Sequence, residues 1–294
     1  MAILKFTGSA SSLRPLKGTR ILSLALNLPG PAALMRCQQM GARCTKLEPP
    51  GGDPMSRYKP RAYADLHQGI RVITTDLKTD AGQKALHRQL SNSDILLTSF
   101  RPSALAKLGL GWKALHWQFP NLSQVAIVGG SGARAEEPGH DLSYLAEAGL
   151  VTGLELPATL YADMAGSLEA SLAVLQAAVC AKATSKAAYL EVSLASAANY
   201  LALPRAWGLT TPGAAVGGGH AGYQLYACKD GRVAVAALEP HFAARLCSAA
   251  GLQNSADPQA DSTHQALRQW LSTHTRAQLD KLAVDQDIPL FTLI

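Results

Sequence analysis

Short apolar runs bounded by glycine and proline alternate with helix-like stretches through the first half of the chain. "TRILSLAL" (19–26), "CTKLEPP" (44–50), "GIRVITTDL" (69–77), "SDILLTSF" (93–100) and "LSQVAIVGG" (122–130) read as buried parallel strands. Helices are predicted between them near 32–42, 80–90 and 102–108, giving the βαβ alternation of a doubly wound sheet with right-handed connections. A long Ala/Leu helix follows at 163–181, apolar on most faces and therefore expected to be buried, and "AAYLEVSLASAANYLA" reads as a strand running into another helix. Beyond the loop "GLTTPGAAVGGGHAG", two strands flank Lys-Asp-Gly as a hairpin, and helices near 240–250 and 263–283 close the chain. The expected fold is thus α/β: a Rossmann-like doubly wound parallel sheet in domain 1–204 and a smaller α+β domain in 205–294.

Ligands of such sheets sit beyond the carboxyl ends of the strands. That directs attention to the loops "LNLPGP", "LEPPGGDP", "SFRP" and "VGGSGARAEEPGHD". No G-x-G-x-x-G occurs, so hydride transfer on a dinucleotide has no support. The "GGGH" at 217–220 reads as a flexible linker or a mobile lid.

Composition narrows the picture. With 294 residues, 48% hydrophobic and 16% charged, the chain can bury a sizeable core. Its formal charge of +6 favours anionic partners, but the cations are scattered, which fits a phosphorylated small ligand better than nucleic acid. Five cysteines without metal or disulfide spacing point to no metal site and to a reducing cytoplasm. The N-terminal stretch lacks the pattern of a signal peptide, and no uninterrupted apolar run suggests a membrane span.

Three polar residues stand at element boundaries in apolar surroundings: His140 in "PGHDLSYLAEAGL", Asp163 in "YADMAGSLEA" and Glu239 in "AALEPHF". Each has a structural reading beside a catalytic one. His140 could be a surface or structural imidazole, Asp163 a helix cap, and Glu239 a first-turn acid favoured by the helix dipole.

Longer motifs weigh on that choice. "PLKGTRILSLALNLPGPAALMRCQQMGARCTKLEPPGGDP", "DILLTSFRPSALAKLGLGWKALHWQFPNL" and "YADMAGSLEASLAVLQA" resemble, in order, the signatures of the family III CoA-transferases of the CaiB/BaiF type. In that family the residue at Asp163 is implied to be either an acyl-accepting nucleophile, as in transferases, or an acid/base, as in the α-methylacyl-CoA racemase branch. The Gly-His-Asp and Leu-Glu-Pro segments are similar to the racemase branch, where His140, paired with Glu239, would face Asp163 across the substrate.

Inverting a stereocentre beside a thioester needs one group to take the α-proton and another to return it on the opposite face. Backbone N–H groups at the start of the Asp163 helix are the expected site for the developing enolate charge. The resemblance further implies that Lys46, Arg101, Asp141 and Tyr144 face CoA, that CoA enters as part of the acyl-CoA substrate with no permanently bound cofactor, and that the chain forms a homodimer. No nucleic-acid or membrane partner is expected. The alternatives are an acyl-CoA:carboxylate CoA-transferase and a non-catalytic CoA-binding homologue. Departures are Ser23 where the first strand usually carries Asp, Pro49 after Glu48, and an end at "DQDIPLFTLI" where a segment returning to the large domain is expected.

Overall fold

The computed structural model describes residues 13–253 and 256–294, so the reading of the N-terminal stretch falls largely outside the described residues. The chain divides into two units, residues 1–202 and 203–294.

In the first unit the order is β1 (Arg20–Ser23), α1 (Pro29–Gln39), β2 (Arg43–Glu48), α2 (Met55–Tyr58), α3 (Pro60–Leu66), β3 (Arg71–Thr74), α4 (Asp80–Ser91), β4 (Ile95–Thr98), α5 (Pro102–Lys107), α6 (Trp112–Gln118), β5 (Ser123–Val128), α7 (Asp141–Glu147), α8 (Tyr161–Thr184), β6 (Tyr189–Ser193) and α9 (Leu194–Leu201). The strands form one sheet in the order β3-β2-β1-β4-β5-β6, parallel at every pairing. This is the doubly wound order, and its direction reverses between β1 and β4, where a crevice opens above the strand ends.

Alternation along each strand builds a core on both faces. Ile21, Cys44, Ile95, Leu97 and Val125 pack with α1, α8 and α9, while Leu22, Leu47 and Leu96 pack with Leu86, Leu90, Leu105 and Leu115 from α4, α5 and α6. Burying apolar surface at about 25 cal/mol per Å² makes these two layers the main favourable contribution to the unit's stability.

α8 differs from the expectation of burial all round. Its small face, with Ala162, Gly166, Ala170, Ala173 and Ala177, is buried, but Met164, Leu168, Leu172 and Val179 are 40%, 48%, 54% and 57% exposed. The small residues let the helix lie close to its neighbours, so only one side enters the core. By length and composition alone α8 could cross a membrane, although Asp163, Glu169 and Lys182 interrupt its apolar run; in this fold its small face packs into the core beneath the sheet.

The second unit contains α10 (Leu203–Ala206), β7 (Tyr223–Cys228), β8 (Gly231–Ala236), α11 (Pro240–Ala249), α12 (Asp261–Ser272), α13 (Arg276–Asp285) and β9 (Leu290–Leu293). β7 and β8 form the expected hairpin, and β9 adds a third antiparallel strand that the sequence pattern did not reveal. The helix expected over 263–283 is two helices. Thr275 opens the second with a capping box, its hydroxyl accepting from Gln278 N–H while Gln278 Oε1 accepts from Thr275 N–H.

"GGGH" forms a packed turn. His220 is buried and its Nδ1 accepts from Gly222 N–H at 2.9 Å. A Cβ at Gly217 would collide with the Thr211 carbonyl, so the glycine permits close backbone approach there.

Candidate active site

Above the carboxyl ends of β1, β4 and β5 lies a cleft of about 570 Å³ lined by residues of the first unit, among them Asn27, Ser99, Arg101, Gly129, His140, Asp141, Tyr144 and Asp163. It sits where the strand order reverses, as a ligand site of such a sheet should. The loops after β4 and β5 supply Arg101 and the 129–140 segment, and the start of α8 supplies Asp163.

His140 stands at the N-cap of α7, with extended backbone. Its N–H donates to Ser143 Oγ at 3.0 Å and its carbonyl accepts from that hydroxyl at 2.7 Å, which fixes the entry of the chain into the helix. The next residue, Asp141, is buried, and its Oδ1 accepts the backbone N–H of Asp163 at 2.9 Å. This bond ties the start of α8 to the start of α7. The Asp163 amide is thereby engaged by Asp141 and is not itself a free donor to the cleft.

Asp163 is half-buried, and burial raises its carboxyl pKa to about 6, with the Asp141 charge adding to the rise and His140 opposing it. Tyr144 fits against Gly129 and Gly139, where a Cβ on either would run into its phenol ring. Burial raises the Tyr144 pKa, the Asp163 charge reinforces this, and Arg101 counters it. Arg101 is exposed at the N-cap of α5 and lines the same cleft.

The structure thus brings His140, Asp163, Asp141, Tyr144 and Arg101 to one cleft. Glu239 belongs to the second unit, where it is exposed at the N-cap of α11. Lys46 corrects the reading of the sequence, because it has no exposed surface and does not line the cleft. Its ammonium contacts Asp53 at 2.5 Å, Glu48 at 3.1 Å and His67 Nε2 at 2.9 Å. His67 Nδ1 donates to the Tyr63 carbonyl at 2.6 Å, so in the neutral ring Nε2 accepts from Lys46. Burial, with the Lys46 charge, lowers the His67 pKa and favours that neutral ring.

The purpose of this buried group is seen one bond further on. Asp53 accepts from Asn27 N–H at 3.1 Å and from Met55 N–H at 2.9 Å, and both residues line the cleft. Asn27 has a left-handed φ of 65°, so the carboxylate holds a turn that is otherwise unfavourable for a side chain. Asp53, Tyr63 and His67 are functional supports that no local sequence signal singles out. Asp53 belongs to the "GGDP" motif, but nothing local in the sequence marks His67 as a partner of Lys46.

Among the described residues no three His, Cys, Asp or Glu side chains cluster as a metal site. The sequence matches the family model for CoA-transferase family III over residues 16–293. The chain belongs to that family. It is similar to a probable fatty acyl-CoA transferase of Mycobacterium tuberculosis, at 32% identity over 164 residues, covering 51% of this chain and 41% of the relative. It is also similar to the α-methylacyl-CoA racemase of Homo sapiens, at 30% identity over 261 residues, covering 83% and 66%. The chain therefore spans less than two thirds of the length of these family III relatives. In fold it matches the crystal structure of a hypothetical protein from Mycobacterium tuberculosis with a TM-score of 0.82 at 24% identity, covering 95% of this chain and 85% of that one.

Proposed function

We propose that this family III member moves a proton on and off the α-carbon of an acyl-CoA thioester, with His140 and Asp163 as the two bases. The observation that carries the reading is that the His140 imidazole and a half-buried carboxyl of raised proton affinity, Asp163, line one cleft. Burial raises the Asp163 carboxyl to about 6, so that it can both hold and release a proton near neutral pH. Reversible transfer requires this, since each group must be a competent base in one direction and a competent acid in the other. One residue removes the α-proton, charge moves onto the thioester oxygen, and the other returns a proton on the opposite face.

Arg101 would meet CoA phosphate, with Asp141 and Tyr144 holding the cleft wall against which the pantetheine chain lies. The likeness of the Leu-Glu-Pro segment around Glu239 to the racemase branch supports the same reading. The relative named as an α-methylacyl-CoA racemase supports this reading.

Incubation with a chiral 2-methylacyl-CoA in deuterium oxide tests it. The reading requires deuterium at the α-carbon and loss of optical purity, and retention of the α-hydrogen would overturn it. The relative named as a transferase favours a second reading, in which Asp163 attacks the thioester carbonyl, forms a mixed anhydride and expels CoA thiolate. Trapping an Asp163 hydroxamate with hydroxylamine would select that reading.

The apolar stripe Met164–Leu168–Leu172–Val179 supports a homodimer in which a second copy covers α8. The five free cysteines support a cytosolic setting. Light scattering on the intact chain and on Leu168→Glu separates dimer from monomer.

A further inference from the structure

The amino-terminal edge of the six-stranded sheet, opposite the edge that carries His140 and Asp163, holds a second cleft of about 650 Å³. β1, β2 and β3 begin at Arg20, Arg43 and Arg71. Arg20 pairs with Arg43, and Thr45 pairs with Arg71. Paired residues of a parallel sheet project to one face, as do residues two apart in a strand. Three arginines on three adjacent strands therefore share one face. Arg14 and Lys17 complete the lining, and no carboxylate contributes to it.

Of the five cations lining the cleft among the described residues, Arg20 is neutralised locally and the other four are not. Arg20 forms a bidentate pair with Asp94, at 2.6 and 3.2 Å. Among the described residues, no ion pair engages Arg14, Lys17, Arg43 or Arg71, and all four are exposed. Like charges on directly paired positions destabilise a sheet, and a concave wall concentrates their field. The backbone also makes room for them. Gly41 has φ +96°, and a Cβ there would lie 2.8 Å from Arg14 Cβ and 2.9 Å from Arg14 Nε.

We propose that this cleft is a binding site for a compact polyphosphate, recognised by the guanidinium forks of Arg43 and Arg71 with Arg14 and Lys17 at the rim. Planar guanidinium pairs match phosphate oxygens in bidentate fashion. The lining contains no aromatic ring on which a base could stack, so the ligand is read through its phosphate chain. The site is independent of the acyl-CoA reading.

Calorimetric titration of the intact chain with inorganic tripolyphosphate at constant ionic strength tests it. Tripolyphosphate should bind at one site at least ~10-fold more tightly than sulfate. Arg43→Gln/Arg71→Gln should weaken it by about tenfold or more, whereas Arg88→Gln/Lys113→Gln, with the same charge loss away from the cleft, should not. ATP binding as tightly as tripolyphosphate would identify a nucleotide source for the phosphate chain, and weaker ATP binding an inorganic one; either supports the site. Equal binding of sulfate and tripolyphosphate, or equal weakening by both variant pairs, would overturn it.

Discussion

The backbone N–H of Asp163 donates to Asp141 Oδ1 at 2.9 Å, so two carboxylates from the starts of two helices share one corner of the cleft. Asp141 anchors α8, and its charge helps raise the proton affinity of Asp163. Asp141→Asn keeps an oxygen acceptor but removes that charge. The limb of the pH–rate profile that reports Asp163 should then move to lower pH while the fold is retained, and an unmoved limb would mean that Asp141 acts only as an anchor.

Asp163 also links stability to pH. Its carboxyl pKa in the fold is about 6, above the ordinary 3.8, so the fold favours the protonated form. Its contribution is fully present below about pH 4 and is lost as pH rises through 6. At pH 8 the ionised carboxylate therefore costs on the order of 2–3 kcal/mol. Asp163→Asn should be more stable than the parent at pH 8, with the gain disappearing near pH 4, as read by denaturant unfolding at both values.

Lys46 neutralises buried acids. Lys46→Met leaves Glu48 and Asp53 without their cation and should cost about 3–5 kcal/mol. Lys46→Met/Glu48→Gln/Asp53→Asn should recover much of that loss. Urea midpoints of the two variants provide the comparison, and equal midpoints would show that charge burial is not the cause.

Gly129 and Tyr144 are complementary in shape. Gly129→Ala should destabilise by about 1–3 kcal/mol because its methyl group meets the Tyr144 hydroxyl. Tyr144→Phe in the same chain should relieve part of that loss, which a double-mutant thermal-unfolding cycle measures.

The parallel sheet was legible because its strands are apolar runs punctuated by Gly and Pro, and the hairpin because Lys-Asp-Gly sits between two alternating strands. β9 was not legible: "LFTL" is short, and its partner β8 lies far away in sequence. α8 was legible as a helix but not in its exposure, since an Ala/Leu pattern does not say which side meets the sheet. His140 and Asp163 were found through their motifs, and the cleft unites them. Lys46 was misread because a lysine at a strand end looks like a surface cation, and only the fold brings Asp53 and His67 to it.

The central claim is that His140 and Asp163 act on opposite faces of one α-carbon. The direct measurement is deuterium exchange into each enantiomer of a 2-methylacyl-CoA, in the parent and in His140→Ala and Asp163→Asn. The account predicts exchange of both enantiomers in the parent, neither variant racemising, and each variant losing proton abstraction from a different enantiomer. Racemisation by His140→Ala at the parent rate, or loss of the same enantiomer in both variants, would contradict it.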